Sequence, residues 1–132
     1  MSETMPFEIA YIQIPVKDPE RSAEFYKNVL GMTCSFPYNP EDRAAFLKFE
    51  NNIALGLIQS ETIPDLTFRD SFGEVKAVIQ FTVDNIESFY ESLKAQNVPV
   101  GPMTFKEGGG YNFTVKDPDG HLSHVWGGWP ES

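Results

Sequence analysis

Ile12-Gln13-Ile14-Pro15-Val16 near the start of the chain recurs after its midpoint as Ile79-Gln80-Phe81-Thr82-Val83, and this repeat decides the fold. The β-branched residues and the alternation of side chains predict a strand in both copies. A repeat of this kind indicates two copies of one supersecondary unit, which we call the first and second modules.

An amphipathic helix is predicted directly after each repeated strand. Asp18 is the expected N-cap of the first helix, and Gly31 should end it, because glycine readily adopts the left-handed conformation common at helix ends. Asp84 or Asn85 should cap the second helix, with Asn97 as its left-handed end. Each copy is therefore predicted to be a strand followed by a helix.

Three further strands are predicted after each helix, separated by turn sequences. They cover residues 32–38, 44–50 and 53–59 in the first half and residues 100–105, 111–116 and 122–126 in the second. The predicted fold is therefore α+β, a single domain built from two βαβββ modules. Its parts are a first module at about residues 6–59, a connector at residues 60–73 and a second module at about residues 74–127.

The composition excludes several classes of partner. The 132 residues include 19 acidic and 10 basic side chains, a formal net charge of −9, so we expect no binding of nucleic acid. No apolar run reaches the roughly 18 residues that a membrane span needs, and the N-terminus does not resemble a signal peptide. Because Cys34 is the only cysteine, no internal disulfide can form, and we expect a cytoplasmic protein.

Two motifs resemble those of a known protein family. The opening motif of the vicinal-oxygen-chelate (VOC) superfamily is similar to Val16-Lys17-Asp18 followed by Glu24-Phe25-Tyr26-Lys27-Asn28-Val29-Leu30-Gly31-Met32. Its closing motif is similar to Asp117-Pro118-Asp119-Gly120. The superfamily contains glyoxalases, bleomycin-resistance proteins and extradiol dioxygenases. The resemblance implies cupped mixed β-sheets around a ligand cavity, with the helices outside.

The resemblance also implies where a metal would bind. Metal-dependent members carry ligands on the first and the last strand of each module. These positions correspond here to Tyr11 and Val78 on the first strands and to Gly56 and His124 on the last strands. One imidazole and one phenol are too few donors for a tightly held catalytic metal. We therefore expect no cofactor; the alternative is a divalent metal ion with His124 as a ligand.

The same positions predict which side chains face the cavity, because residues two apart on a strand share a face. The candidate ligand-binding residues are Tyr11, Gln13, Gln80, His124 and Trp126. Two alternatives stay open. The two glutamines could form hydrogen bonds with one another or with backbone groups, and the rings of Tyr11 and Trp126 could belong to the core. His121 lies in a turn and on the opposite strand face, so we expect it at the surface.

Two functions of different classes are consistent with these residues. The first is a metal-free binder of a small organic molecule, similar to the bleomycin-resistance proteins, whose ligand is aromatic or, given the acidic charge, cationic. The second is an enzyme, a glyoxalase-like lyase or isomerase or a dioxygenase. In it His124 acts with a metal or as a general base, and Tyr11 acts as an acid.

We also expect a homodimer, because chains of this length in the superfamily usually dimerise and a four-stranded cup leaves strand edges to cover. Glu50, Gln59 and Glu74 lie outside the aligned ligand positions. They could still complete a site across such a dimer.

Overall fold

A computed structural model describes residues 9–48, 53–107 and 109–127. The chain divides into two compact units, residues 1–63 and 64–132, which we call the first unit and the second unit. Each contains one four-stranded mixed sheet and one α-helix. The predicted α+β class and the βαβββ order of both modules are therefore confirmed.

The first unit contains one parallel and two antiparallel strand pairs. Its sheet order is β1-β4-β3-β2, in which β1 runs parallel to β4 and the other neighbours are antiparallel. A short 3-10 turn, Pro40–Asp42, precedes β3. The elements are β1 (Tyr11–Val16), α1 (Pro19–Asn28), β2 (Thr33–Cys34), β3 (Ala44–Lys48) and β4 (Ala54–Gln59).

Both ends of α1 follow from its sequence. The Asp18 carboxylate accepts hydrogen bonds from the backbone N–H groups of Glu20 (3.1 Å) and Arg21 (3.3 Å), which have no partner inside the helix. Beyond the helix, Gly31 has a φ of +79°, and only glycine adopts that conformation at no steric cost. The predicted cap and the predicted stop are both confirmed.

The core of the first unit lies between α1 and one face of the sheet. Leu47 and Leu57 are fully buried there, and Tyr26 on the helix is 2% exposed. Burial of one such side chain contributes about 1.5–3 kcal/mol. Ile14 and Val16 on β1 are buried while Tyr11 and Gln13 are exposed, as the alternation predicts, but Ile12, which the alternation places with Ile14, is 36% exposed.

The second unit repeats this topology. Its sheet order is β7-β10-β9-β8, with β7 parallel to β10 and the other neighbours antiparallel. Asn85 rather than Asp84 caps the helix by accepting the Ser88 N–H at 3.1 Å, and Asn97 has a left-handed φ of 60°. The elements are β5 (Thr67–Arg69), β6 (Val75–Ala77), β7 (Gln80–Thr82), α2 (Ile86–Ala95), β8 (Thr104–Lys106), β9 (Gly110–Lys116) and β10 (Leu122–Trp126).

Two close contacts hold α2 on its sheet. The rings of Phe89 and Tyr90 lie 6.2 and 4.8 Å from the buried ring of Phe113 on β9, centroid to centroid. A Cβ atom at Gly127, directly after β10, would clash with the Cβ of Ile86. The first turn of the helix therefore reaches the end of β10 only because residue 127 is glycine.

Part of the predicted connector is a hairpin that sequence reasoning did not include. β5 pairs antiparallel with β6, and the Asp70 carboxylate accepts the N–H groups of Phe72 (2.9 Å) and Glu74 (3.0 Å) in the turn between them. Aspartate commonly closes a turn in this way. We call residues 67–77 the hairpin.

Two predicted strands are shorter than expected. The strand expected at residues 32–38 is reduced to β2, and only β8 remains of the one expected at residues 100–105, with Val100 bridged to Val115. Pro37 and Pro102 lie in these stretches, and a proline cannot donate to a strand ladder. In the described parts of the chain, neither helix is long and apolar enough to cross a membrane.

Candidate functional site

The strand registers make two positions equivalent in the two units. Gln80 on β7 is paired with His124 on β10, and Gln13 on β1 is paired with Gly56 on β4. This is the correspondence that the repeat predicts. The same register therefore carries a histidine in the second unit and a glycine in the first.

A cavity of about 390 Å³ lies in the second unit, and we call it the second-unit cavity. This volume lies in the range of small-molecule sites, roughly 300–1,000 Å³. Three of the predicted ligand-binding residues, Gln80, His124 and Trp126, line it together. The other lining residues are Glu74, Lys76, Thr104, Phe105, Gly109 and Asn112.

His124 is held at both its backbone and its ring. Its backbone N–H donates to the Ile79 carbonyl at 3.0 Å, and its ring Nε2 accepts the backbone N–H of Ala77 at 3.0 Å. Burial lowers the pKa of His124 below its ordinary 6.5, and the nearby positive charge of Lys76 lowers the pKa further. The ring is therefore neutral near pH 7.

Trp126 and Asn112 form the second polar part of the wall. The Trp126 indole Nε1–H donates to the Gly109 carbonyl, which fixes the ring against the loop before β9. The Thr104 hydroxyl donates to the Asn112 side-chain oxygen at 3.0 Å. Because Asn112 is paired across the sheet with Trp126, these groups lie side by side.

The two charged residues of the wall come from the hairpin. The Lys76 ammonium lies 3.5 Å from a Glu74 carboxylate oxygen and 3.9 Å from an Asp70 carboxylate oxygen. Two carboxylates thus face one ammonium group, and this corner of the cavity carries no excess of positive charge. An anionic ligand gains little there, since the lysine already has partners.

The corresponding face of the first unit is aromatic. The Tyr11 and Phe46 rings meet edge to face at 5.1 Å between centroids, and Phe36 meets Phe46 at 6.0 Å. A Cβ atom on Gly56 would lie 3.0 Å from the Phe46 ring and 3.1 Å from the Tyr11 ring. The two predicted site residues of this unit, Tyr11 and Gln13, are both exposed.

A protein-family model described as the Glyoxalase/Bleomycin resistance protein/Dioxygenase superfamily matches residues 8–125. The chain belongs to this superfamily. An uncharacterized protein of Bacillus subtilis (strain 168), YraH, is 28% identical over 126 residues, which are 90% of this chain and 97% of that protein.

Solved structures of the superfamily show the same fold. The antibiotic binding protein TnmS3 from Streptomyces sp. CB03234 aligns with a TM-score of 0.74 and 17% identity, over 95% of this chain and 98% of that one. The fosfomycin resistance protein FosX from Listeria monocytogenes aligns with a TM-score of 0.73 and 18% identity, over 94% and 95%. At these identities the likeness shows the fold alone.

The residues at the superfamily's metal positions do not fit a metal ion. Val78 and Gly56 offer no side-chain donor atom, which leaves the phenol of Tyr11 and the imidazole of His124. Among residues 9–48, 53–107 and 109–127, no three His, Cys, Asp or Glu side chains lie together as a metal site would need. Glu50 lies outside the described residues.

The expectation that His121 lies at the surface is wrong. It is 6% exposed, although it directly follows the turn before β10. The Asp117 carboxylate accepts the N–H groups of Asp119 and His121, both at 2.9 Å. These bonds fold the turn tightly, and they draw His121 inward.

Several cavity residues were not predicted from the sequence. Thr104, Phe105 and Asn112 belong to strands whose register was not known beforehand. One signal was available for Asn112, because a β9–β10 turn at Asp117–Gly120 pairs it with Trp126. Lys76 had no comparable signal, since the hairpin itself was not predicted, and Glu74 was expected only as a residue that could complete a site across a dimer.

Proposed function

We propose that this superfamily member binds a flat, aromatic small molecule in the second-unit cavity and that it does so without a metal. The observation that carries the proposal is the cavity of about 390 Å³, in which two aromatic rings stand beside several hydrogen-bonding side chains. Aromatic walls with a few placed polar groups are typical of small-molecule sites. Sequestration needs only this complementarity and no reactive group.

The charge of the protein supports a neutral or cationic ligand. The net charge of −9 raises the local concentration of cations near the surface. Inside the cavity the Lys76 ammonium is paired with the carboxylates of Glu74 and Asp70, so this corner carries no excess of positive charge that would repel a cation. The names of two relatives, an antibiotic binding protein and a fosfomycin resistance protein, support small organic molecules as the class of ligand.

A charge series of flat two-ring molecules tests the proposal. Coumarin is neutral, N-methylquinolinium is a cation, and the carboxylate derivative of coumarin is an anion. Binding is followed through the Trp126 indole N–H signal in ¹⁵N–¹H NMR spectra, assigned with Trp126→Phe. We expect roughly millimolar or tighter dissociation constants for the neutral and cationic probes and weaker binding of the anion. No response to any probe up to its solubility limit overturns the proposal.

The second candidate is an enzyme of the same superfamily, a glyoxalase-like lyase or isomerase or a dioxygenase. The observation that favours it is the neutral His124 imidazole in the cavity wall, since a neutral imidazole is the form of a general base. Metal content by mass spectrometry separates a metal-dependent enzyme from the metal-free binder. Protein purified without chelator should contain well below one equivalent; near-stoichiometric metal that disappears in His124→Ala would favour the enzyme.

We also propose a cytoplasmic homodimer that binds neither nucleic acid nor membranes. Strands β7 and β8 form the two edges of the second sheet. Phe105 on β8 is 51% exposed, and Val78, two residues before β7, is 63% exposed. Exposed sheet edges of this kind are usually covered by a partner. Sedimentation velocity should give twice the monomer mass of 14.9 kDa, and a monomer at all concentrations would contradict this part.

A further inference from the structure

The hydrogen bond from Ala77 determines which nitrogen of His124 carries a proton. A backbone N–H always donates, so Nε2 must offer its lone pair at the observed 3.0 Å. A neutral imidazole has one N–H and one lone pair, so its proton lies on Nδ1. The second-unit cavity is therefore lined by a histidine in a defined tautomer.

The Nδ1–H group is available to a ligand. The His124 ring lines the cavity, and among the residues that the structure describes Nδ1 has no hydrogen-bond partner. Lys76 offers only donors, and within the described part of the chain the ring of His124 is hydrogen-bonded to Ala77 and not to its strand neighbours Gln80 and Thr114. Among the described residues no buried side-chain nitrogen or oxygen lacks a partner, so Nδ1–H is accessible from the cavity, and a ligand acceptor would replace water there.

We propose that His124 is a specificity-determining donor, and that the cavity selects ligands that present a neutral acceptor, such as a carbonyl or ether oxygen, to its Nδ1–H. This inference rests on the proposed function and deepens it by naming the chemical group that the cavity recognises. Ala77 is the positioning residue, because its backbone amide holds the tautomer. The hairpin that supplies this amide thus determines which nitrogen of His124 is the donor in the cavity.

The same bond opposes the two roles that an enzyme would give to His124. A metal or a substrate proton would need the Nε2 lone pair, and the Ala77 N–H already occupies it. Use of that lone pair would leave the amide of Ala77, a buried residue, without an acceptor. The tautomer therefore favours recognition over proton transfer at Nε2.

The first experiment reads the tautomer without a ligand. The chain contains two histidines, so imidazole ¹⁵N signals in long-range ¹⁵N–¹H spectra are assigned by comparison with His124→Gln. At about pH 8, where an unperturbed imidazole is neutral, we expect His124 to carry its proton on Nδ1. A proton on Nε2 overturns the inference whatever the protein binds.

The second experiment compares coumarin, which has a carbonyl oxygen, with naphthalene, which has no acceptor. Wild-type protein should bind coumarin about fivefold more tightly, the worth of one net hydrogen bond, although naphthalene is the more apolar molecule. His124→Gln places an oxygen where Nε2 was and no donor at Nδ1, so the preference should disappear. His124→Asn places an amide nitrogen near Nδ1, and most of the preference should return.

The outcomes separate the inference from the proposed function. Equal affinity of wild-type protein for both probes overturns the acceptor preference while the binding function stands. A preference that survives in His124→Gln also overturns it, provided that circular dichroism shows a folded variant. No binding of either probe overturns the proposed function, and the inference falls with it. The tautomer measurement uses wild-type protein and does not depend on the folding of any variant.

Discussion

The two units have the same strand order and register but different chemistry on equivalent faces. Where the second unit has His124 beside Thr114, the first unit has Gly56 beside Phe46. The first face is built from aromatic rings in edge-to-face contact, and the second from hydrogen-bonding groups around a cavity. The comparison teaches that a repeated backbone does not repeat a site, because the site depends on individual side chains.

One residue accounts for much of this difference. Gly56 has no side chain, so the rings of Tyr11 and Phe46 approach its backbone closely. At the equivalent position the His124 side chain occupies that space and reaches the Ala77 amide of the hairpin. The first unit therefore has a filled aromatic surface, and the second has a wall that can recognise polar groups.

The largest effect is expected from Trp126→Ala in the second unit. The change removes an aromatic wall and the bond to the Gly109 carbonyl, so coumarin affinity should fall by about tenfold or more. Phe36→Ala, which removes an exposed ring from the first unit, is the matched comparison. Backbone amide signals in NMR titrations measure both, because Trp126→Ala lacks the indole signal. An equal loss in the two variants would show that both faces bind the probe.

Gly56→Ala tests the first unit. Its new methyl group would lie 3.0 Å from the Phe46 ring, so we expect a loss of about 1–3 kcal/mol in the free energy of unfolding, the usual cost of overpacking. Urea denaturation measures it. A variant as stable as the wild type would mean that the rings of Tyr11 and Phe46 move aside freely.

The stability of the second unit should depend on pH through His124. Its pKa is lowered in the folded state, first by burial and then by Lys76, so the unfolded chain takes up the proton more readily. Above about pH 6.5 His124 is neutral in the folded and in the unfolded chain, and its contribution to the free energy of unfolding is complete. The contribution is lost as pH falls below that value. Urea denaturation from about pH 8 to pH 5 should show a smaller decline for His124→Gln than for wild type. Identical declines would exclude His124 as the source.

The two glutamines allow a direct comparison at one register position. Both side chains are exposed, but Gln80 lines the second-unit cavity, whereas Gln13 lies beside Gly56. Gln80→Ala should weaken coumarin binding about threefold, within the usual worth of one hydrogen bond, and Gln13→Ala should weaken it less. The reverse order in NMR titrations would assign the binding site to the first unit.

The smallest effect is expected from charge. Glu74→Gln should weaken binding of N-methylquinolinium about twofold, the modest worth of an exposed ion pair. Glu91→Gln on α2 removes the same charge away from the cavity and is the matched control. Equal effects of the two substitutions would show that only the net charge of the protein attracts the cation. Tighter binding after Glu74→Gln would contradict attraction by this carboxylate.

Much of the fold could be predicted from local patterns. Asp18 and Gly31 bound α1 because capping and left-handed stops depend on neighbouring residues alone. The strand at Leu122–Trp126 was predicted with its ends, since its alternation is regular. The hairpin was not predicted, because its strands have three residues each and gain their stability from pairing rather than from a periodic pattern.

The candidate site was predictable only in part. Gln80, His124 and Trp126 could be assigned to one strand face by alternation, and the structure brings them together in one cavity. Sequence alone did not predict the burial of His121, because residues at a turn are usually exposed. The hydrogen bond from its N–H to the Asp117 carboxylate is seen only in the structure. Nor did it predict the pairing of Lys76 with two carboxylates, which depends on the hairpin.

The sequence by itself determined the two modules, their helix caps and the alternation of faces, because these follow from interactions over a few residues. Only the tertiary structure decided the chemistry of the site. The bond from the Ala77 amide to the His124 ring joins residues 47 positions apart. Such a contact depends on how β6 lies against β10, and no local sequence pattern determines the arrangement of two strands so far apart in the chain. The repeat thus predicted the strand face on which His124 lies. The tertiary structure determined which of its ring nitrogens is the donor.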